Sequence, residues 1–227
     1  GVAVSDRGMI AVVEANNHTV RLLEPVTGAD GTRYQVTTIA GVPKKEGVAD
    51  GPAQTSLFKS PHAVGFSSSM GLVVCDIGNA RIRSIKDGVV QTISGGVAAI
   101  DQTFKYPMDL TLGADGSVYM IDAGFMCVFH QEEGKIPQII PLDRPLKTPH
   151  GICYTRNKEL VIAELRGHRV CVVDAKGGTL RTVFGTGKAG SLPNELNEPA
   201  AVLVHAGKLW IADLGNHQIK IVDWPIK

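Results

Sequence analysis

Aromatic side chains are scarce in this sequence, at 5% of residues. That weighs against an RNA-binding surface, which needs rings interleaved with cations for base stacking. A surplus of one charge is missing too: 23 basic side chains stand against 22 acidic ones. Such a balance excludes a chain steered as a whole toward nucleic acid or an anionic membrane. No apolar run reaches the length of a membrane span, so no membrane partner is expected. No charged-then-apolar leader opens the chain, but it begins at Gly1, so this says nothing about compartment.

Cysteines number four, Cys75, Cys127, Cys153 and Cys171. None forms a C-x-x-C pair, and each lies in an apolar, strand-like run. The expectation is buried thiols acting as small hydrophobes, without a disulfide framework, which points toward a reducing intracellular compartment. Asn17-His18-Thr19 is a glycosylation sequon, meaningful only in a secreted protein. Neither a Ser-His-Asp nor a Cys-His arrangement is suggested by motif. Gly185 to Gly190 fits G-x-G-x-x-G, yet Leu192-Pro193-Asn194 follows where a nucleotide-binding turn would open a helix.

Repetition is what the sequence does contain. Five segments align on an acid: MIAVVEANNHTVRLL, GLVVCDIGNARIRSI, SVYMIDAGFMCVFHQ, ELVIAELRGHRVCVV and KLWIADLGNHQIKIV. The anchors are Glu14, Asp76, Asp122, Glu164 and Asp213. Apolar residues precede each acid; a short polar turn and a second β-rich run follow it. Upstream stands a proline followed by a further apolar run, as in SPHAVGF, YPMDLTL, TPHGICY and EPAAVLV; Gly1 to Val4 reads as the same run without its proline. Downstream come TTIAG, QTISG, PQIIPL and RTVFG. Each unit therefore reads as four short strands, a to d, separated by Gly, Pro, Asn and Asp clusters. Strand b is apolar at nearly every position, the pattern of a strand covered on both faces. A lone four-stranded sheet cannot cover both its faces, so the copies must cover one another. The expected fold is all-β, a β-propeller of four-stranded blades.

Within the turns, the acid is expected to accept backbone N–H groups of the tight b–c turn. Gly78, Gly167 and Gly215 would supply backbone freedom, and Asn17, Asn79 and Asn216 would tolerate a left-handed conformation. These are structural turn residues rather than a site.

The motif Asp76-Ile-Gly-Asn-Ala-Arg-Ile82, echoed in Asp213-Leu-Gly-Asn-His-Gln-Ile219, resembles the NHL-repeat propellers. Ile39-Ala-Gly41 with Ala49-Asp-Gly-Pro-Ala53 and Phe58 is also similar to that family's inter-blade linker. The third repeat departs most, with Ala123-Gly-Phe-Met-Cys127 in place of the Gly-Asn-x-Arg core. The resemblance covers essentially residues 1–227 as a single domain. It implies a six-bladed ring in most members. Five repeats are visible here and the fifth lacks strand d, so the domain is expected to be incomplete at one or both termini, or the ring open.

The resemblance implies that linkers and b–c turns share one face, with strand a lining a central channel. The residue after each proline, His62, Met108, His150 and Ala200, would then stand at the channel mouth. The peptidyl-amidating lyase propeller, a distant relative of this pattern, holds zinc through Pro-His motifs. Pro61-His62 and Pro149-His150 match them, with Asp109 as a supporting partner and zinc or calcium as the ion. A third ligand would be expected two blades further on, in a blade beyond the five visible here. A second group, His18, Arg81, Arg166, His168, Arg169 and His217 around the b–c turns, could meet an acidic protein or a phosphate backbone. The leading functional expectation is non-catalytic: a protein-binding scaffold using turns and linkers. The alternative is a metal-dependent enzyme of lyase or lactonase type, and RNA binding is a third, unsupported option.

Overall fold

The computed structural model describes residues 1–28, 31–96 and 104–225. They form five antiparallel sheets joined in chain order, with three short 3-10 turns as the only helical segments among them. Sheet one runs β1 (Val2–Val4), β2 (Ile10–Glu14), β3 (Thr19–Gly28), β4 (Gly31–Ala40). Sheet two holds β5 (Gly51–Pro52), β6 (Pro61–Ser67), β7 (Gly71–Asp76), β8 (Arg81–Lys86) and β9 (Val89–Gly95), with β5 added beyond β9. Sheet three is β10 (Pro107–Leu112), β11 (Val118–Asp122), β12 (Cys127–Gln131) and β13 (Gln138–Ile139). Sheet four is β14 (Pro149–Tyr154), β15 (Glu159–Glu164), β16 (Arg169–Asp174) and β17 (Arg181–Phe184). Sheet five has only three strands, β18 (Pro199–His205), β19 (Lys208–Asp213) and β20 (Gln218–Asp223). These are the blades of a β-propeller, each a meander whose strands pair in sequence order.

The chain divides into two compact units, residues 1–107 with 133–136, and residues 108–132 with 137–227. In the first unit, Ala11, Val13 and Val20 of one sheet pack with Val64, Val74 and Ile85 of the next. In the second, Ile121 and Val128 pack with Ile152, Leu160 and Cys171. Cys153, Val161, Val170 and Val172 then pack with Leu209 and Ile211. The all-apolar b strands follow from this: every residue of β11 is buried because sheets lie against one another. An apolar linker residue completes each core, Phe58 in one and Leu146 and Leu196 in the others.

One expectation changes in detail. PQIIPL contributes only the two residues of β13, because Pro137 and Pro141 on either side cannot donate to a ladder. The long linker of residues 42–59 folds down, with bridges Glu46–Phe58 and Ala49–Leu57, and with β5 pairing to β9.

Candidate functional site

The acid ending each strand b is the hub of its blade. Asp76, Asp122, Glu164 and Asp213 are fully buried. Three of them accept a backbone N–H from the linker entering strand a: Lys59 to Asp76 Oδ1 at 2.7 Å, Lys147 to Glu164 Oε1 at 2.7 Å, and Asn197 to Asp213 Oδ1 at 2.7 Å. Only Asp122 takes the N–H groups of its own b–c turn, from Gly124 at 2.8 Å and Phe125 at 3.0 Å. The sequence reading put the b–c turn donors on every acid; in these three blades the linker supplies them instead. In the first blade Glu14 accepts from Asn17 at 2.9 Å and Thr19 at 2.5 Å.

The turn residues also divide their work differently from the expectation. Asn79 and Asn216 are not left-handed; their amides donate to Asp76 at 2.7 Å and Asp213 at 2.8 Å. The left-handed residue comes one later, at Ala80, His168 and His217. Gly78 and Gly215 are required for space rather than φ. A Cβ would lie 2.6 Å from the Lys59 carbonyl oxygen at Gly78, and 2.8 Å from that of Asn197 at Gly215.

A cation sits beside each of four acids, and its source varies. Arg83 is wholly buried; its Nη1 donates to Asp76 at 2.9 Å and its Nη2 to the Ala49 carbonyl at 2.8 Å. Arg21 lies 3.7 Å from Glu14 and Lys220 3.9 Å from Asp213. In the fourth blade the same strand position is Cys171, and Arg144 reaches in from the linker to Glu164 at 2.9 Å, while Arg169 adds a 2.5 Å bond. Burial alone would raise the Glu164 pKa; the hydrogen bonds from Arg144, Arg169 and the Lys147 N–H outweigh it and hold the group down at about 2. Sequence reasoning missed Arg83 as a buried group and Arg144 altogether.

Two of the turn histidines are tied into the fold. His18 Nδ1 accepts the N–H of Ser60 at 3.1 Å, and His168 Nδ1 accepts that of Glu198 at 3.2 Å. Each joins one blade to the entry of another within the same unit. Arg81 bonds Thr92 at 3.3 Å and Arg169 is held by Glu164. Arg166 and His217 remain exposed.

His62 and His150 each occupy a β-bulge, the skipped residue between Pro61 and Ala63 and between Pro149 and Gly151. Such a bulge re-aims the extra side chain away from the pleat. His62 belongs to the first unit and His150 to the second. His150 Nδ1 lies 2.9 Å from the Ala200 carbonyl oxygen, which can only accept, so that nitrogen carries the proton. Asp109 accepts from Leu110 and Ile152 N–H groups, both at 2.9 Å. Its burial nevertheless pushes the carboxyl up to about 7, the two N–H groups pulling the other way. Among the described residues, no three His, Cys, Asp or Glu side chains are grouped as a metal-ligand set.

All four cysteines are free thiols; Cys75, Cys153 and Cys171 are buried, and burial pushes the half-buried Cys127 up to about 12.

No protein-family model matches the chain. A curated relative, NHL repeat-containing protein 2 of Bos taurus, is 26% identical over 189 residues, covering 74% of this chain. The repeats of this chain are similar to those of that relative. The chain spans 22% of the length of that relative. Among solved structures, the blades resemble virginiamycin B lyase from Staphylococcus aureus, with a TM-score of 0.66 and 16% identity over 100% of this chain and 70% of that one. They also resemble a gluconolactonase from Xanthomonas campestris, with a TM-score of 0.63 and 16% identity over 97% of this chain and 74% of that one. At such identities the likeness concerns the fold alone. The acids, glycines and asparagines that recur here are used within the blades and the linkers that join them.

Proposed function

We propose that this NHL propeller is a non-catalytic scaffold that binds a protein through the b–c turns and linkers of its second unit. The observation that carries the reading is which side chains are exposed at that end. The recurrent acids, His168 and Arg169 are consumed by internal bonds. Phe125, Leu192 and Leu214, on two turns and a linker, are 46%, 60% and 52% exposed. Arg166 is exposed in the turn of the fourth blade, and His217 in the turn that holds Leu214. Exposed apolar side chains on loops held by a rigid sheet, with an exposed Arg166 on a neighbouring turn of the same unit, suit a protein partner with an apolar surface that carries acidic groups.

Affinity enrichment with the purified chain, set against a Phe125→Ser/Leu214→Ser variant, tests this. Specific partners retained by the first and lost by the second are expected. Identical enrichment would overturn the reading. So would stoichiometric zinc that disappears in His62→Ala and His150→Ala, because that result belongs to a metal-dependent enzyme of lyase or lactonase type.

A further inference from the structure

The outer hairpin of the first blade is longer than its sheet. β3 and β4 each run ten residues, and they stay paired from Arg21–Thr38 out to Gly28–Gly31. β2 begins at Ile10, which pairs with Leu23. Residues 24–28 and 31–35 therefore form a two-stranded ribbon beyond the end of the blade. Such a ribbon has two edges, each a row of N–H and C=O groups able to pair with a further strand.

One of those edges is blunted and the other is not. The Thr38 carbonyl accepts from the Gln54 side chain at 3.3 Å, so Thr38 points its backbone groups away from β3. Strand alternation then puts the N–H and C=O of Val36, Tyr34 and Thr32 on the same outer edge. Pro25 pairs with Tyr34, so its ring nitrogen lies on the opposite edge, the one β2 does not reach. A proline there has no N–H to offer, which closes that edge to pairing. The outer strands of the next three blades are protected in other ways. β9 is covered by β5, β13 is two residues between Pro137 and Pro141, and β17 is four residues long. β4 contains no proline, and Arg33 is its one charged side chain. The second blade shows what such an edge takes, since β5 adds to β9 in antiparallel fashion.

We infer that this edge pairs with the same edge of a second copy, β4 antiparallel to β4 about a two-fold axis at Tyr34. The strand itself selects that occupant and register. Tyr34 meets Tyr34 of the second copy and Thr32 meets its Val36, so outward-facing backbone groups meet their like and each pair exchanges two hydrogen bonds. The Tyr34 and Val36 side chains, 44% and 48% exposed, gain a cross-strand neighbour. Arg33 meets Gln35 of the second copy, so like charges are not opposed. Glu24 pairs with Gln35 inside the chain, which puts its carboxylate and the second copy's Arg33 in one cross-sheet row. An axis one residue earlier would set Arg33 against Arg33. An axis one residue later would need the Thr38 carbonyl that Gln54 already holds. The contact is isologous and closes on itself. So short an edge falls below the roughly 800 Å² per partner of a stable complex, and a dissociation constant on the order of ten micromolar is expected. This goes beyond the proposed scaffold role, since it uses the outer edge of the first unit rather than the turns of the second.

Sedimentation of the full chain across micromolar concentrations tests this. A monomer–dimer equilibrium is expected, weakened about tenfold by Tyr34→Pro, which removes an outer-edge N–H without breaking the β3–β4 ladder. Gln35→Lys should weaken it about as much, because the new cation faces Arg33 of the second copy while it gains Glu24 within its own chain. Circular dichroism should show both variants folded. A short bismaleimide should link Tyr34→Cys chains into dimers, and Val26→Cys chains far less. A monomer at every concentration would overturn the inference. So would a dimer that Gln35→Lys leaves intact and Tyr34→Cys does not link, which would assign the contact to another surface. A monomeric chain whose Tyr34 and Val36 amides are protected from hydrogen exchange only when a different protein is added would overturn it equally, because the edge would then serve that protein.

Discussion

The imidazole of His168 accepts the backbone N–H of Glu198 at 3.2 Å, thirty residues away in the chain. Glu198 has a left-handed backbone, at φ 51°, which costs a non-glycine residue on the order of 1 kcal/mol. The bond thus fixes the entry of the fifth blade against the turn of the fourth. His168→Ala should lower stability by about 1 kcal/mol, the usual worth of a hydrogen bond whose donor is left half-buried. His217→Ala, at the same turn position but without a partner among the described residues, should leave stability unchanged. Urea denaturation of both variants checks the pair. Equal stability of the two would show that His168 is a surface group available to ligands.

Glu164 supplies a dependence on acid. Its folded pKa is about 2 against 4.5 in the unfolded chain. A group depressed in this way contributes stability that is complete above pH 4.5 and is lost as pH falls through 4.5 toward 2. The contribution is up to about 3 kcal/mol. Arg144→Ala removes a guanidinium bonded to both carboxylate oxygens, so the carboxyl should titrate higher and unfold the protein at a higher pH. Acid titrations followed by circular dichroism should show the variant's midpoint shifted upward. An unmoved midpoint would mean that Arg169 and the Lys147 N–H suffice.

Asp109 works in the opposite direction and in another pH window. Its folded pKa of about 7 lies above 3.8, so between about pH 4 and 7 the folded chain holds a proton that the unfolded chain has released. Stability from this group therefore falls as pH rises through that window. The side chain keeps some solvent contact, so a loss of ~1–2 kcal/mol is expected. Asp109→Asn should flatten that slope while preserving one of the two N–H bonds. Denaturation midpoints on either side of neutrality, together with a carboxyl titration by NMR, would decide it. A titration midpoint near 4 would show that Asp109 is ionised throughout.

Much of the fold was written in the repeated letters, because each blade needs the same acid, the same tight turn and the same apolar pair of strands. What stayed hidden was how blades and linkers share groups. Nothing local distinguishes Arg83, which is wholly buried, from Arg81 two residues earlier, which is half-exposed. The difference arises because the linker of residues 42–59 folds over one and not the other. Nor could the sequence reveal that Arg144 stands in where the fourth blade has Cys171 rather than a basic residue. The histidines were legible as unusual but not as to role: His18 and His168 serve as acceptors between blades, and His150 as a donor to a carbonyl. Side-chain pairing across twenty to fifty residues leaves no periodic trace.

Arg83 gives the largest expected single effect. It is fully buried, pairs with the fully buried Asp76 and with Asp50 at 2.6 Å, and donates to the carbonyls of Leu57 and Ala49. Its guanidinium also lies 4.8 Å from the centroid of the Phe58 ring, which plugs the core of the first unit. Arg83→Met keeps the volume but leaves Asp76 as a buried charge without its cation, a change that costs about 3–5 kcal/mol. Burial already pushes the Asp76 carboxyl upward despite bonds from Asn79, the Lys59 N–H and Arg83. The variant should therefore take up a proton at Asp76 and regain part of its stability as pH is lowered. Because two of the lost bonds hold the linker, trypsin should cut first at Lys44 or Lys45 in the variant and much more slowly in the native chain. Arg83→Lys should rescue the charge but not both carbonyl contacts, and so restore stability only in part while leaving the linker open to cleavage. A Met variant as stable and as resistant to trypsin as the native chain would show that Phe58 and its apolar neighbours hold the linker unaided.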